Sequence, residues 1–295
     1  IQQIEAPRIS ASRQFAKQLL SSLPFEMTNA QKRVSKEIVQ DLKLNKPMLR
    51  LVQGDVGAGK TLVAGVAACH ALEEGWQVAL MAPTEILAEQ HYLNFKKWFE
   101  PLGLSVSWLS GKQKGKARAA AEQAIVDGTA HLVVGTHALF QDNVRFAKLG
   151  LVIIDEQHRF GVDQRLALRN KGAQNMTPHQ LVMTATPIPR TLSMSAYGDL
   201  DTSVIDELPP GRTPIQTVTI PLDRREEVLQ RIASNCLEGK QAYWVCTLVE
   251  ESETLDAQAA EATYLEIKER FPDLNVGLVH GKMKADEKQA VMQAF

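Results

Sequence analysis

The 295-residue sequence has little cysteine and no long hydrophobic run. Its three cysteines, Cys69, Cys236 and Cys246, are far apart and lack the Cys-x-x-Cys spacing of zinc sites, so we expect neither a structural zinc site nor a disulfide framework. No stretch approaches the ~18 uninterrupted apolar residues of a membrane span, and the first residues lack the basic and apolar regions of a signal peptide. These absences favour a globular protein of a reducing cytoplasm.

The sequence also lacks an excess of charge of either sign, with 33 Lys and Arg against 34 Asp and Glu. Any nucleic-acid surface must therefore be a local basic stripe. A length of 295 residues with 44% hydrophobic content exceeds the usual size of one core, so about two domains are expected. Because the sequence begins at Ile1 and not at Met, we expect it to be a piece of a longer protein.

A glycine-rich loop directly follows a short apolar run. Residues 48–52 predict a buried strand and residues 62–72 a helix. Between them, glycines let backbone N–H groups turn inward around phosphate oxygens, a lysine can reach the terminal phosphates, and a threonine hydroxyl can hold Mg²⁺. The segment predicts an ATP and Mg²⁺ site, formed by Gly54, Asp55, Val56, Gly57, Ala58, Gly59, Lys60 and Thr61.

An acidic pair follows a second apolar run, residues 151–154. At the carboxyl end of a strand, Asp155 can hold Mg²⁺ through water while Glu156 orients or deprotonates the attacking water. Such a pair alone could simply cap a helix. Beside a phosphate loop it predicts nucleotide hydrolysis with Lys60, Asp155 and Glu156 as catalytic groups, and we expect the two strands to be neighbours with Lys60 facing Asp155.

The apolar runs continue along the chain in a βα order. Strand patterns at 48–52, 78–82, 132–134, 151–154 and 181–183 alternate with helical patterns, which is typical of a parallel sheet covered by helices on both faces. The proline-rich segment 208–214 interrupts this order. After it, strand patterns at 215–220, 242–247 and 276–279 alternate with helices at 224–237, at 254–270 and from Lys284 onward.

Several segments resemble the superfamily-2 helicases, and within them the bacterial DNA helicases that migrate branched DNA. The resemblance covers essentially the whole chain and is carried by segments 82–91, 135–137, 155–162 and 184–191. It implies an α/β fold in which a RecA-like phosphate-loop lobe is followed by a truncated second RecA-like lobe. The implied domains are a connector helix at 1–23, the first lobe at 24–208 and part of the second at 209–295, with a helical pattern at 8–22 for the connector.

The resemblance also implies roles for residues outside the phosphate loop. Phe25 and Gln31 would read the adenine, and the less favoured alternative is that Thr28 only caps a surface helix. The DNA contacts implied are Pro83, Thr84, Gly135, Thr136 and His137, and the residues implied to couple them to hydrolysis are His158, Thr184 and Thr186. The basic stretch from Lys112 to Arg118 could follow a DNA backbone or be a solvated loop.

The function implied is ATP-driven translocation on branched double-stranded DNA, at replication forks and Holliday junctions, in recombination and repair. The family's strand-splitting wedge domain would precede this sequence and the rest of its second lobe would follow it. The arginine fingers of that lobe would lie beyond Phe295, so we expect this piece to hydrolyse ATP weakly or not at all. Alternatives are a translocase that pushes a stalled RNA polymerase, a fragment that binds nucleotide or DNA without turnover, and, less favoured, an RNA motor.

Overall fold

The computed structural model describes residues 5–10, 12–155, 171–172, 176–187, 200–208, 211–246 and 253–295. By its internal contacts the chain divides into two compact units, 1–213 and 214–295. The division falls inside the proline-rich segment 208–214. The predicted bounds of the connector and of the two lobes stay a prediction.

The first unit is built on a seven-stranded sheet in which all the pairings are parallel. The strands follow the order β3-β4-β2-β5-β6-β1-β7 across the sheet. Their bounds are β1 Leu49–Gln53, β2 Gln77–Met81, β3 Val106–Leu109, β4 Leu132–Gly135, β5 Leu149–Asp155, β6 His179–Thr184 and β7 Asp201–Val204. The helices between them are α1 Gln14–Ser22, α2 Asn29–Leu42, α3 Lys60–Glu73, α4 Glu85–Phe99 and α5 Gly115–Val126.

Apolar side chains cover both faces of this sheet. On one face, residues of α1 to α4 form a core cluster with alternate residues of the strands, such as Val78 and Leu80 of β2. On the other face, Ala79 and Met81 of the same strand join Ile125 of α5 and the short 3₁₀ helix His137–Phe140. Because successive strand residues point to opposite faces, a near-continuous apolar run is what a doubly covered parallel sheet requires. The predicted α/β fold is confirmed.

The structure adds two strands that the hydrophobic pattern did not predict. β3 has four residues and β7, Asp-Thr-Ser-Val, is mostly polar. Both lie at the edges of the sheet, where the two faces of a strand are less completely covered. Fewer of their side chains must be apolar, so neither strand produces a clear apolar run. The predicted connector helix also begins later than expected, at Gln14, because Arg13 has a φ of 71°, which a right-handed helix cannot include.

The second unit contains the helices α6 Arg225–Leu237, α7 Glu253–Arg270 and α8 Ala285–Ala294, which confirms the three predicted helices. No strand occurs within residues 215–220, 242–246 or 276–279, so the strand predictions there are not met. Ile215 and Val245, which lie in two of these predicted strands, are 81% and 78% exposed. A β-strand is defined by hydrogen bonds to a neighbouring strand, and the apolar pattern of a segment cannot supply that neighbour.

Among the residues that the structure describes, no helix combines the length and apolar content needed to cross a membrane. The three cysteines are free thiols, and Cys69 is buried in α3. Burial raises the pKa of the Cys69 thiol to about 12, because a thiolate would lose its hydration there. This thiol therefore stays protonated and serves as a small apolar side chain.

A fully buried histidine joins the N-terminal segment to the start of two strands. The His179 ring donates from Nε2 to the carbonyl oxygen of Pro7 at 2.6 Å, and its Nδ1 accepts from the Met48 N–H at 3.0 Å. Accepting at Nδ1 requires the neutral ring. Burial lowers the pKa of His179 below its usual value, and the hydrogen bond to Pro7 only partly opposes this.

This arrangement predicts a loss of stability at mildly acidic pH. Above the unfolded-state pKa of about 6.5 the ring is neutral in both states, so the full stability is present. As the pH falls from there toward the lower folded-state pKa, only the unfolded chain gains the proton, and the free energy of unfolding drops by about 1.4 kcal/mol per pH unit. Burial likewise lowers the pKa of His70, which adds a change of the same sign.

Urea denaturation at pH 7.5, 6.5 and 5.5 measures this effect, with His179→Asn as the comparison. The variant should be less stable at pH 7.5, yet lose less further stability between pH 6.5 and 5.5 than the unsubstituted protein. An identical loss in both proteins would contradict the role of His179.

Candidate functional site

One edge of the sheet collects the predicted functional segments. Because the strands are parallel, their carboxyl ends lie at the same edge, where ligands bind in open α/β sheets. Across this edge come the segments after β4 and β2 that were predicted to contact DNA, then Asp155 at the end of β5. Thr184 at the end of β6 and the phosphate loop after β1 come next along the same edge. The fold thus brings together segments that are up to 130 positions apart.

The phosphate loop is held at both sides of its strand. The Gly54 N–H donates to the Thr184 carbonyl oxygen at 3.2 Å, and the Ile205 N–H donates to the Gln53 carbonyl oxygen at 2.8 Å. Gly57 and Gly59 have φ values of 80° and 88°, a left-handed conformation that favours glycine. The loop therefore turns back sharply between β1 and α3.

Lys60 and Thr61 begin α3 directly after this turn. The Lys60 ammonium donates to the carbonyl oxygens of Gly54 at 2.5 Å and Asp55 at 2.9 Å, so it lies over the loop. The loop's N–H groups and the helix N-terminus favour an anion at this place, and the ammonium adds a formal positive charge. The structure thus brings together the amide and ammonium groups of the predicted polyphosphate site, and their binding of a phosphate stays a prediction.

Gln31 connects α2 to the phosphate loop. Its Nε2 donates to the Ala58 carbonyl oxygen at 2.8 Å, and its Oε1 accepts from the Thr28 N–H at 3.0 Å. The Thr28 hydroxyl accepts from the Gln31 N–H in return, so the capping alternative is confirmed. A Cβ on Gly59 would lie 2.1 Å from Gln31 Nε2, which explains the glycine. Phe25 is 55% exposed, and the adenine-reading role of both residues stays a prediction.

The prediction that β1 and β5 are neighbours is wrong, because β6 lies between them. Two inter-strand spacings place the ends of β1 and β5 about 10 Å apart. The segment after β6 occupies the middle of this gap, where the Thr186 N–H donates to the Thr184 hydroxyl at 3.1 Å. A phosphate group bound at the loop and a metal ion bound at Asp155 would therefore both lie next to the segment after β6. The intervening strand also places the predicted coupling segment between the two.

A cleft beside the phosphate loop is formed by the ends of β1, β6 and β7. Its lining comprises Gln53, Gly54, Asp55, Ala58, Ala185, Pro187, Val204, Ile205, Asp206, Glu207 and Leu208. Glu207 Oε2 also accepts from the Ala30 N–H at 2.8 Å, which ties the start of α2 to the segment after β7. The α2 N-terminus thereby gains a carboxylate, which complements its helix dipole.

The donor groups at this edge suit Mg²⁺. The Thr61 hydroxyl and the Asp155 carboxylate are hard oxygen ligands, and Mg²⁺ usually takes one or two carboxylates together with substrate phosphates and water. Within the described part of the chain, no three His, Cys, Asp or Glu side chains cluster as a metal site of their own. One hydroxyl and one carboxylate fit a metal ion whose other ligands are nucleotide phosphates and water. Glu156 and His158, predicted beside it, lie outside the described residues.

The two predicted DNA-contacting segments lie side by side. The Ala82 N–H donates to the Gly135 carbonyl oxygen at 3.0 Å. Thr84 is exposed and caps α4, accepting from the Leu87 N–H at 3.3 Å, and the neighbouring Pro83 is half-buried. His137 is also exposed. The Thr136 side chain, by contrast, is only 3% exposed, and its role in DNA binding stays a prediction.

The basic stretch begins near the same edge, after β3. Lys112, Lys114 and Lys116 are exposed. Arg118, in contrast, forms an ion pair with Glu122 at 2.8 Å and donates to Gln141 Oε1 at 2.9 Å. Three of the four basic side chains are therefore open to a phosphate backbone, while Arg118 is engaged by groups of the protein.

Two further contacts reach the predicted site from residues to which the sequence assigned no role. His91 Nε2 lies 2.6 Å from Asp155 Oδ2, and the Arg212 guanidinium donates to the Val56 carbonyl oxygen of the phosphate loop. His91 lies within a segment that resembles a DNA-contacting motif, which is the only sequence signal for it. Arg212 has no signal beyond its place in the proline-rich segment.

Comparison with known proteins identifies the family. The model of the DEAD/DEAH box helicase family matches residues 28–195, which include the phosphate loop, Asp155 and Thr184. The chain belongs to this family. The matched region is more than half of the 295 residues and coincides with the sheet edge described above.

Within the family, the chain is similar to the ATP-dependent DNA helicase RecG. It is 63% identical to RecG of Escherichia coli K12 over all of this chain and 43% of that protein. It is 60% identical to RecG of Haemophilus influenzae with the same coverage. The solved structure of RecG bound to a three-way DNA junction matches with a TM-score of 0.80 and 39% identity, over 98% of this chain and 37% of that one. The chain spans less than half the length of these relatives.

Yeast Dbp5 bound to RNA and ADP BeF3 matches with a TM-score of 0.65 at 14% identity, over 97% of this chain and 71% of that one. At this identity the likeness shows the fold alone. The family resemblance predicted from the sequence is confirmed.

Proposed function

We propose that this chain is the motor segment of an ATP-dependent DNA helicase that acts on branched DNA, at replication forks and Holliday junctions, during recombination and repair. The observation that carries the motor proposal is the order of groups along one sheet edge. The two segments predicted to contact DNA, a carboxylate, a threonine turn and the predicted phosphate loop follow one another across β4, β2, β5, β6 and β1. A motor needs its nucleotide site and its DNA site to be held by one rigid element. A parallel sheet holds both at the carboxyl ends of its strands.

In this proposal the loop amides and the Lys60 ammonium bind the β- and γ-phosphates of ATP. Thr61 and Asp155 hold Mg²⁺, which would neutralise charge that develops on the phosphates. Glu156 then orients the attacking water and accepts its proton. Phe25 and Gln31 contact the adenine, which requires the Gln31 amide to exchange at least one of its present partners for the base.

Pro83, Thr84, Gly135, Thr136 and His137 form the proposed DNA contacts, with exposed lysines beyond them. Thr84 at the N-terminus of α4 offers backbone N–H groups to a phosphate, and such contacts position DNA without reading its sequence. His158, Thr184 and Thr186 couple the state of the nucleotide to these DNA contacts. We further propose that residues 1–23 connect to a wedge domain, that 24–208 form the first lobe and that 209–295 begin the second.

The branched substrate is proposed from the relatives. The similarity to RecG covers all of this chain and 43% of that protein, and the RecG structure named above holds a three-way junction. Genomic DNA as a partner and three free thiols both fit a reducing cytoplasm, where we place the activity. The chain spans less than half the length of these relatives. We therefore expect the isolated 295 residues to bind nucleotide but to hydrolyse it slowly.

A chimera tests the proposal. In the RecG chimera, these 295 residues replace the matching segment of the Escherichia coli protein, so the remaining domains are present. We expect ATP hydrolysis that a three-way junction stimulates at least 10-fold, and more strongly than a linear duplex of the same length. A folded chimera that hydrolyses ATP equally with and without either DNA would contradict the proposed motor, and equal stimulation by the two DNAs would contradict the branched substrate.

A further inference from the structure

The contact between His91 and Asp155 joins the two halves of the sheet edge. His91 lies on α4, which follows β2 and begins at the proposed DNA contact Thr84. Asp155 ends β5, the neighbour of β2 and the strand that faces the proposed metal ion. The distance from Nε2 to Oδ2 is 2.6 Å, slightly below the ~2.7–2.9 Å usual for an N–H donor to a carboxylate.

The surroundings of this contact fix its geometry. The side chains of His91 and Asp155 are 11% and 14% exposed, so little water competes for them. The His91 ring packs edge-on against Phe95, one helical turn later, at 6.3 Å between centroids. Phe95 is fully buried and stacks on Phe99 at 5.5 Å. The imidazole is therefore held by the core, and it holds the carboxylate in turn.

We infer that His91 is a positioning residue, which orients Asp155 for the metal ion and makes that orientation depend on the position of α4. The inference rests on the proposed function. A carboxylate oxygen only accepts, so His91 Nε2 donates to Oδ2, and Oδ1 would be the oxygen that accepts from a metal-bound water. Groups that hydrogen-bond a metal ligand set its orientation, and their loss typically lowers metal affinity or activity about 10- to 100-fold.

The helix supplies the link to DNA. Thr84 caps the N-terminus of α4, and His91 lies seven residues later, two turns along the same helix. A short helix moves as a rigid rod, so a shift of its N-terminus on a DNA phosphate also shifts the imidazole. The structure thus provides a direct mechanical connection of one helix and one hydrogen bond between the proposed DNA contact and the proposed metal ligand.

Metal affinity is the readout that a purely structural role of His91 would leave unchanged. The isolated chain is titrated with Mn²⁺ in the presence of a non-hydrolysable ATP analogue, and bound Mn²⁺ is measured by electron paramagnetic resonance. We expect His91→Leu to raise the Mn²⁺ dissociation constant at least 10-fold. His91→Gln, whose amide nitrogen can replace Nε2 as a donor, should stay within about 3-fold of the unsubstituted chain. Lys97→Leu places the same side chain on an exposed position of α4 and should change nothing.

The coupling between DNA binding and ATP hydrolysis is measured in the RecG chimera. His91→Leu should lower the ratio of DNA-stimulated to basal ATPase at saturating Mg²⁺ at least 5-fold, and the DNA concentration for half-maximal stimulation should change less than 2-fold. If His91→Leu matches the unsubstituted protein in both assays, or if His91→Gln is as impaired as His91→Leu, the inference is wrong while the proposed function stands. If the unsubstituted chain binds neither nucleotide nor Mn²⁺, the proposed function fails instead.

Discussion

Lys60→Ala in the RecG chimera should lower the DNA-stimulated ATPase rate by about 100-fold or more. Lys60 is the positive charge that the sequence motif places at the phosphate loop, and its ammonium lies over the loop carbonyl oxygens. Removing one preorganised group that stabilises developing charge typically costs about 10²–10³ in rate. The same change should weaken binding of a fluorescent ATP analogue to the isolated chain, because the ammonium also binds the ground state.

Lys46→Ala is the matched control. Lys46 is an exposed lysine just before β1, at the opposite end of the strand from the phosphate loop. Its removal changes the net charge equally, so both ATP hydrolysis and binding should stay within about 2-fold. Comparable losses in the two variants would show that overall charge, and not the place of Lys60, determines activity.

Gly135→Ala should destabilise the first unit by about 3 kcal/mol, near the upper end of the usual cost of overpacking a core. A Cβ at Gly135 would lie 2.0 Å from the backbone carbonyl oxygen of Leu109, which belongs to the adjacent strand β3 and cannot rotate away. For a unit of this size, the loss corresponds to a melting temperature lower by roughly 6–12 °C. Differential scanning calorimetry of the isolated chain measures the shift.

Gly111→Ala provides the comparison, because a Cβ there meets nothing within 4 Å. It should leave the melting temperature within about 1 °C. A Gly135→Ala variant that is as stable as Gly111→Ala would show that β3 moves to accept the methyl group. Gly135 would then have no packing role, and only its proposed DNA contact would remain. The pair thus separates a packing role of Gly135 from its proposed DNA contact.

The phosphate loop and the βα order could be predicted from the sequence because each depends on local constraints. A left-handed turn requires Gly57 and Gly59 wherever the rest of the chain lies, and a doubly covered strand requires a continuous apolar run. The polar edge strand β7 obeys neither rule, so the pattern did not predict it. The second unit shows the reverse case, since residues 215–220 have the composition of a strand but form none in the structure.

The order of the strands could not be predicted in the same way. The strand β1 leads into the predicted phosphate loop and β5 ends at Asp155, and nothing local to either indicates that β6 pairs with both. The same is true of His91 and Asp155, which are 64 positions apart and meet only because β2 pairs with β5. Residue types in a motif identify which chemistry is present. Which groups of different motifs touch is determined by long-range pairing.

A crystal structure of the chain grown with a non-hydrolysable ATP analogue and Mn²⁺ tests the central claim most directly, because anomalous scattering locates the ion without assumptions about its ligands. We predict one Mn²⁺ peak in the gap between β1 and β5, at about 2.1 Å from the Thr61 hydroxyl and joined to Asp155 through a bound water. The terminal phosphate should lie within hydrogen-bond distance of Lys60 Nζ. A nucleotide bound elsewhere, or a manganese peak that contacts neither Thr61 nor the water shell of Asp155, would contradict the account.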